Sequence, residues 1–165
     1  MGKPHNNTKV AIDQIVPIVQ QISIFGGLGQ EELENVIESL QLISFKAGDE
    51  IFKKGEAPNS IYIIKKGTVA IHLEGDSEHL KPILFHTGDC IGEAAFIGIL
   101  PHSATAIAQS DCELIILTRA AFMDLFENEP RLFSLLILNI ARETSRRLHS
   151  ADKELIEYAQ DKQQM

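Results

Sequence analysis

The stretch IGEAAFIGILPHSATA, residues 91–106, interrupts a series of strand-like segments and carries the chemistry of this chain. Residues 93–97 predict one short helical turn directly after a glycine. The start of a helix exposes N–H groups and the positive end of a dipole, which suit an anion such as phosphate. Gly92 allows a ligand to approach the backbone, and Glu93 is able to accept hydrogen bonds from sugar hydroxyls. The stretch therefore predicts a site for a ligand that carries both a phosphate and a sugar.

On both sides of this stretch, short β-rich segments are separated by glycines. Their length and spacing are typical of hairpins in an all-β unit. Residues 74–77 predict a hairpin loop. The predicted strands are 41–46, 50–53, 60–65, 68–73, 80–85, 104–108 and 113–117.

An internal repeat marks two of the turns between strands. The hexapeptides KAGDEI at 46–51 and HTGDCI at 86–91 share Gly-Asp-x-Ile and lie forty positions apart. Glycine adopts positive φ without strain, and aspartate hydrogen-bonds to nearby backbone in turns. The repeat predicts a rolled β-structure whose strands meet at similar corners, although two copies are too few for a repeat protein.

Helical periodicity flanks the β-rich region on both sides. A helix is predicted over 10–22, bent or ended by Pro17, and the polar residues 1–9 before it are expected to be frayed. A second helix is predicted at 30–40. Thr118 is the expected N-cap of a helix over 119–126, and a long helix is expected from Pro130 to about residue 159. The expected organisation is a helical segment 1–40, a β core 41–118 and C-terminal helices 119–165.

The long C-terminal helix carries a narrow apolar stripe with alternating four- and three-residue spacing, as in a coiled coil. Its first half has enough additional leucines to pack against its own domain, but the sequence beyond Leu148 is polar around the stripe. A second copy of the helix across a two-fold axis is the simplest partner, so a homodimer is predicted. The stripe consists of Ile137, Ala141, Thr144, Leu148, Ala151, Leu155 and Tyr158.

Composition excludes several classes of function. Fifteen Lys and Arg against 23 Asp and Glu give a net charge of −8, which argues against direct binding of nucleic acid. No apolar run reaches the length of a membrane span, and the first ten residues do not resemble a signal peptide. Cys90 and Cys112 form no CxxC pair and fit a reducing compartment, so a cytoplasmic protein is expected.

The sequence also lacks the patterns of an enzyme or a metal site. No Ser/His/Asp or Cys/His arrangement is recognisable, so a non-enzymatic protein with no catalytic residues is expected. His72, His79 and His86 stand seven apart, but no carboxylate–histidine pattern accompanies them and no metal site is predicted. Cys90 is interpreted as a packing residue.

The stretch 91–106 resembles the phosphate-binding cassette of the cyclic nucleotide-binding domain family. The pattern of that cassette is Phe/Ile-Gly-Glu-x-Ala/Gly, followed after several residues by Arg-Ser/Ala-Ala-Thr. Residues 45–56 and 60–69 are similar to the family's first strand pair and following hairpin, and 24–33 to its entry helices. The resemblance extends over about residues 20–150. It implies a mainly β fold with flanking helices, an antiparallel, jelly-roll-like β-roll with N-terminal helices and a long C-terminal helix.

The resemblance also implies roles for individual residues. Cyclic AMP or cyclic GMP is the expected ligand, and no other cofactor is implied. Glu93 would bind the ribose 2′-hydroxyl, and Ser103 would lie next to the phosphate, with Thr105 further along the same strand. The backbone groups expected near the phosphate are those of Gly92, Ala94 and Ala95.

The sequence departs from the family pattern at two places. His102 stands where the family has an arginine that binds the phosphate with two hydrogen bonds. Loss of that contact is expected to cost about 2–3 kcal/mol, or a thirtyfold to hundredfold weaker site. The acidic composition offers no replacement cation near the motif. Catabolite activator-like members have Thr-Ser facing the nucleotide base where this chain has Ala151-Asp152. The resemblance therefore does not predict which base the ligand carries.

Two functions follow as alternatives. The first is a regulatory domain that senses a cyclic nucleotide or a related anionic ligand and relays binding through the C-terminal helix to a separate, unidentified protein partner. The second is an interaction module of the same fold that has lost nucleotide binding, in which Glu93 is a buried structural carboxylate and His102 a partly exposed loop residue. No helix-turn-helix DNA-binding segment is recognisable, and no membrane contact is expected.

Overall fold

A computed structural model describes residues 7–9, 11–18, 21–73 and 81–163 as two antiparallel sheets flanked by helices. The mainly β class and the antiparallel roll predicted from the sequence are confirmed. The strands are β1 (Asn7–Lys9), β2 (Gln41–Phe45), β3 (Glu50–Phe52), β4 (Ser60–Lys66), β5 (Val69–His72), β6 (Ile83–Phe85), β7 (Cys90–Ile91), β8 (Thr105–Ala108) and β9 (Cys112–Thr118). The helices are α1 (Ile12–Ile15), α2 (Gln30–Glu38), α3 (Glu93–Gly98), α4 (Arg119–Asn128) and α5 (Pro130–Gln163), and Ser23–Phe25 form a 3-10 turn.

Strand β9 is central to one sheet, whose order is β1-β2-β9-β4-β7; the other sheet has the order β3-β8-β5-β6. Successive side chains of a strand point to opposite faces, and both faces of β9 are covered. Leu114 packs into the core between the two sheets, whereas Ile115 and Leu117 pack into a second core beneath the helices. This explains the unbroken apolar run at 114–117, all of which is buried.

The two predicted Gly-Asp turns, at 46–49 and 86–89, have the same geometry. In each, the aspartate carboxylate accepts a hydrogen bond of 2.7 Å from the N–H three residues earlier. The glycines have φ of +90° and +96°, a region that residues with a Cβ rarely adopt. Both turns lead into strands, β3 and β7, so the repeat in the sequence does mark two corners of the roll.

The N-terminal region differs from the prediction. Residues 7–9, expected to be frayed, form β1 and pair with β2, where they satisfy the hydrogen-bonding groups of a free sheet edge. Of the helix predicted over 10–22, α1 covers Ile12–Ile15, and Pro17, which lacks an N–H, lies in the turn at 16–18 that ends it, one of the two outcomes expected of that proline. Residues 10, 19 and 20 lie outside the described residues. The hairpin loop predicted at 74–77 lies outside the described residues.

The C-terminal helices follow the sequence pattern closely. The N–H of Ala121 donates to the hydroxyl of Thr118, which caps α4 as predicted. Pro130 begins α5, which extends to residue 163. The amide of Asn139, buried in the first half of α5, donates to the carbonyls of Ile24 and Gly26 at 3.1 and 2.7 Å, and so fixes α5 to the 3-10 turn. The helices in the described ranges are too short or too polar to cross a bilayer.

Candidate ligand-binding site

A cleft of about 160 Å³ lies among α3, the loop before β8, strands of both sheets and one side chain of α5. Six of the seven site residues predicted from the sequence line this cleft, namely Gly92, Glu93, Ala94, Ala95, His102 and Ser103. The remaining lining residues are Phe52, Ile71, Phe85, Ile91, Ala104 and Arg147. The fold therefore brings the 92–95 and 102–104 segments together on one concave surface.

Thr105, the seventh predicted residue, is not among the residues that line the cleft. Its hydroxyl accepts a hydrogen bond of 3.1 Å from the N–H of Lys54, in the turn after β3. The side chain therefore joins β8 to a neighbouring turn. Ser103, two residues earlier, is exposed and borders the cleft.

Gly92 forms the wall of the cleft at the start of α3, and its φ of +81° is unfavourable for any residue with a Cβ. A Cβ built at this position would lie 3.3 Å from the His102 ring and 3.4 Å from the carbonyl oxygen of Ser60. The space around the glycine is thus already filled by the protein. Both the backbone angle and the packing account for glycine at this position.

The side chain of Glu93 is buried and forms an ion pair with Arg147 of α5. The Nη1 atom of Arg147 donates to Oε1 of Glu93 at 2.7 Å, and Nη2 donates to the carbonyl oxygen of Cys90 at 2.6 Å. Burial raises the pKa of Glu93, while the adjacent guanidinium opposes that rise. The ion pair joins the cassette directly to the long helix.

Arg147 corrects one expectation from the sequence. The acidic composition suggested that no cation lies near the motif, but Arg147 lines the cleft. Positions 93 and 147 are far apart in the chain, and no local spacing rule connects them. The sequence does show the pair Arg146-Arg147 beside the apolar stripe of α5, but it does not reveal which arginine faces the cleft.

His102 is only 5% exposed and stacks on Phe52, with ring centroids 3.9 Å apart and an angle of 12° between the rings. The alternative of a partly exposed loop histidine is therefore wrong. Burial lowers the pKa of His102, so the imidazole is neutral near pH 7. The backbone of His102 is also held, since its N–H donates to Glu56 and its carbonyl accepts from Gly55.

The other reactive residue types have plain structural explanations. Cys90 is buried, as its interpretation as a packing residue requires, and burial raises the pKa of its thiol to about 12. It is therefore protonated and not a nucleophilic thiolate. His79 lies outside the described residues, and the ranges that are described contain no cluster of three His, Cys, Asp or Glu side chains placed to hold a metal ion.

Comparison with known proteins identifies the family to which this chain belongs. The sequence profile described as "Cyclic nucleotide-binding domain" matches residues 42–129, more than half of the chain. The chain belongs to the cyclic nucleotide-binding domain family. The match includes the segment that forms the two sheets, apart from β1 and the first residue of β2, together with α3 and α4.

Two curated relatives illustrate the range of this family. The cyclic AMP receptor protein of Thermus thermophilus is 31% identical over 135 residues, which is 80% of this chain and 60% of that protein. A cAMP-dependent protein kinase regulatory subunit of Eremothecium gossypii is 30% identical over 122 residues, or 72% of this chain and 26% of that protein. The chain thus spans less than two thirds of the length of either relative.

Solved structures agree with this assignment. A cyclic nucleotide-binding domain from Methylobacillus flagellatus superposes with a TM-score of 0.76 at 23% identity, covering 88% of this chain and 83% of that one. The catabolite activator protein of Thermus thermophilus superposes with a TM-score of 0.72 at 28% identity, covering 83% and 63%. The first likeness establishes the fold, and the second supports the same family at higher identity.

Proposed function

We propose that this cyclic nucleotide-binding domain is a non-enzymatic sensor that binds a cyclic nucleotide, or a related anionic sugar phosphate, in the cleft at Gly92 and Glu93. The observation that carries the proposal is the composition of that cleft. A buried carboxylate, Glu93, lies beside the guanidinium of Arg147, and the exposed Ser103 borders the same space. A sugar hydroxyl donates to a carboxylate and an anion accepts from a guanidinium, so a ligand with both groups suits both side chains.

Two sets of contacts support a relay from the cleft to the C-terminal helices. The first is the ion pair of Glu93 with Arg147, which joins the cassette to α5. A ligand that hydrogen-bonds to Glu93 would change this ion pair and so change how α5 is held. The second is a series of aromatic contacts. Phe96 of α3 packs on Phe122 of α4, with ring centroids 5.1 Å apart, and Phe122 packs on Phe133 of α5, with ring centroids 4.8 Å apart. Binding would thus favour one packing of these helices over another.

The proposed assembly is a homodimer formed through α5, which would carry the signal to a separate protein partner. In support, Leu148, Leu155 and Tyr158 of the apolar stripe are exposed on the isolated chain, whereas Leu132 and Leu136 in the first half are buried. The two cysteines are free and buried, which supports a reducing, cytoplasmic location.

A second candidate is an interaction module without nucleotide binding, and His102 is the observation that favours it. This residue is buried and its pKa is lowered, so it supplies no charge to an anion, unlike the arginine of the family pattern. On this alternative, the Glu93–Arg147 pair only fastens α5 to the roll.

Titration calorimetry with cyclic AMP and cyclic GMP distinguishes the two candidates. The sensor predicts micromolar binding of at least one nucleotide, weakened about tenfold or more by Glu93→Gln, which removes the charge but keeps the size of the side chain. Glu113→Gln is the matched control, because Glu113 also forms an ion pair, with the Nζ atom of Lys65 at 2.6 Å, but neither lines the cleft nor contacts Arg147.

Binding that persists within about twofold in the control supports a specific role for Glu93. An absence of heat with both nucleotides contradicts the sensor. If binding then appears in His102→Arg, the cleft has lost nucleotide binding because it lacks the positive charge of the family's arginine.

A further inference from the structure

We propose that Arg147 supplies the positive charge that binds the anionic group of the ligand, in place of the cassette arginine that this sequence lacks. This inference rests on the proposed function, since it identifies the anion-binding residue of the same cleft. It places the charge on α5, outside the 91–106 stretch, and thus on the element that would carry the signal.

Arg147 is the single residue with a permanent positive charge among the residues that line the cleft in the described part of the chain. His102 is neutral near pH 7, for the reasons given above. Glu93 contributes the opposite charge, but its two oxygens are acceptors and cannot bind an anion directly. An anion that enters the cleft therefore has one strong electrostatic partner.

The guanidinium has hydrogen-bonding capacity left for a ligand. It carries five N–H groups, and the described residues accept three hydrogen bonds from it: Glu93 at Nη1, Cys90 at Nη2 and Glu143 at Nε. One N–H on each terminal nitrogen has no acceptor among the described residues. Two adjacent N–H groups in one plane match two oxygens of a phosphate.

The same three contacts hold the guanidinium in place before a ligand arrives. The Cζ atom of the group also lies over the Phe85 ring, 4.8 Å from its centroid. A side chain that is already ordered loses little conformational entropy on binding, so more of the interaction free energy contributes to affinity. Arg147 nevertheless remains 28% exposed, and so is accessible from the cleft.

Arg146, the neighbour of Arg147, provides a natural comparison. Its side chain is 65% exposed, pairs with Glu143 and does not line the cleft. Two adjacent arginines of the same helix thus share the acceptor Glu143, but only one of them faces the site. Replacing either arginine with glutamine makes the same change in net charge and in helix propensity. The cleft loses its cation only in Arg147→Gln.

The test compares cyclic AMP with adenosine, which has the same base and sugar hydroxyls but no phosphate. Affinity for both probes is measured by titration calorimetry on the wild type, Arg147→Gln and Arg146→Gln. In Arg147→Gln, the preference for cyclic AMP over adenosine should fall by about tenfold to a hundredfold. In Arg146→Gln it should change by less than about twofold. A purely structural role for Arg147 weakens both probes equally and leaves the preference unchanged, which overturns the inference.

A second pair of variants guards against a folding defect, because Arg147→Gln leaves Glu93 buried without its cation. Glu93→Gln and the double variant Glu93→Gln/Arg147→Gln both avoid that unpaired charge. The preference for cyclic AMP should be lower in the double variant than in Glu93→Gln by a similar factor. Equal preference in the two contradicts the inference while the proposed function stands. If the wild type binds cyclic GMP instead of cyclic AMP, cyclic GMP and guanosine replace the two probes. A wild type that binds neither cyclic nucleotide overturns both proposals.

Discussion

At the scale of single residues, the cleft shows how burial determines the protonation state of a side chain. His102 and Glu93 line the same cleft, and burial favours the neutral form of each side chain. Burial therefore raises the pKa of Glu93 and lowers the pKa of His102. The neighbouring charges oppose both shifts, Arg147 at Glu93 and Glu56 at His102. The two residues therefore affect stability in opposite directions as pH changes, and a variant is needed to separate them.

The first prediction concerns the pH dependence of stability at His102. An unfolded chain titrates this imidazole near pH 6.5, whereas the folded protein holds its pKa lower, so below about pH 6.5 the unfolded state binds more protons. The free energy of unfolding should therefore fall as pH decreases through this range. His102→Phe preserves the stack on Phe52 but removes the titration. Denaturant unfolding at about pH 7.5 and pH 5.5 should show a larger loss for the wild type than for the variant.

Glu93 is present in both proteins, so its opposite contribution cancels in that comparison. The variant with phenylalanine is not required to equal the wild type in stability at either pH, since only the change between the two pH values is used. Identical losses in the two proteins would mean that burial does not disfavour the imidazolium at position 102.

The sequence indicated Glu93 as a residue of the cleft but did not indicate Arg147, and the reason is the range of the interactions. Glu93 lies within a contiguous pattern, in which a glycine, a carboxylate and small residues follow in fixed order. Arg147 reaches the site only because α5 packs across the roll, fixed in part by Asn139. A contact between distant segments has no local spacing, so it becomes visible only once the fold is known.

At the scale of elements, the two Gly-Asp turns are alike in sequence and in backbone but differ in their surroundings. A Cβ at Gly48 would meet nothing within 4 Å. A Cβ at Gly88 would lie 2.7 Å from the carbonyl oxygen of Gln21, a backbone atom of the N-terminal segment. The turn at 86–89 is therefore a packing site as well as a corner of the roll.

The second prediction uses this pair of glycines. Gly48→Ala should cost about 1–2 kcal/mol, the strain of a Cβ at positive φ. Gly88→Ala carries the same strain and a backbone clash, so it should cost at least about 1 kcal/mol more. Urea unfolding followed by circular dichroism measures both variants against the wild type. Equal destabilisation of the two would show that Gln21 does not pack against the turn as described.

Two short strands lie outside the predicted strand ranges. Strand β1 has three residues, in a segment expected to be frayed, and β7 has two, indicated only by the Gly-Asp turn before it. Both exist because a neighbouring strand offers free hydrogen-bonding groups, β4 to β7 and β2 to β1. The long elements, β9 and α5, carry their own periodicity, and the sequence located both within a few residues.

At the scale of the whole molecule, the second half of α5 differs from the first in its exposure. The first half is buried against α4 and the 3-10 turn, but every residue described from 148 to 160 is exposed. The apolar stripe nevertheless continues through this half at the same spacing. A helix with an exposed apolar stripe is stabilised by a second helix, and the chain itself supplies one in a homodimer.

The last prediction tests that dimer with two adjacent residues. Leu155 lies on the stripe and Ile156 beside it, about 100° around the helix, and their exposures of 67% and 56% are similar. An aspartate at either position costs the isolated chain little. Across a two-fold axis, however, Leu155→Asp places two like charges together in the seam and should weaken association by a hundredfold or so. Sedimentation velocity should find a dimer for the wild type and for Ile156→Asp, but a monomer for Leu155→Asp at the same concentration. A monomeric wild type, or a dimer that both variants retain, would exclude association through this stripe.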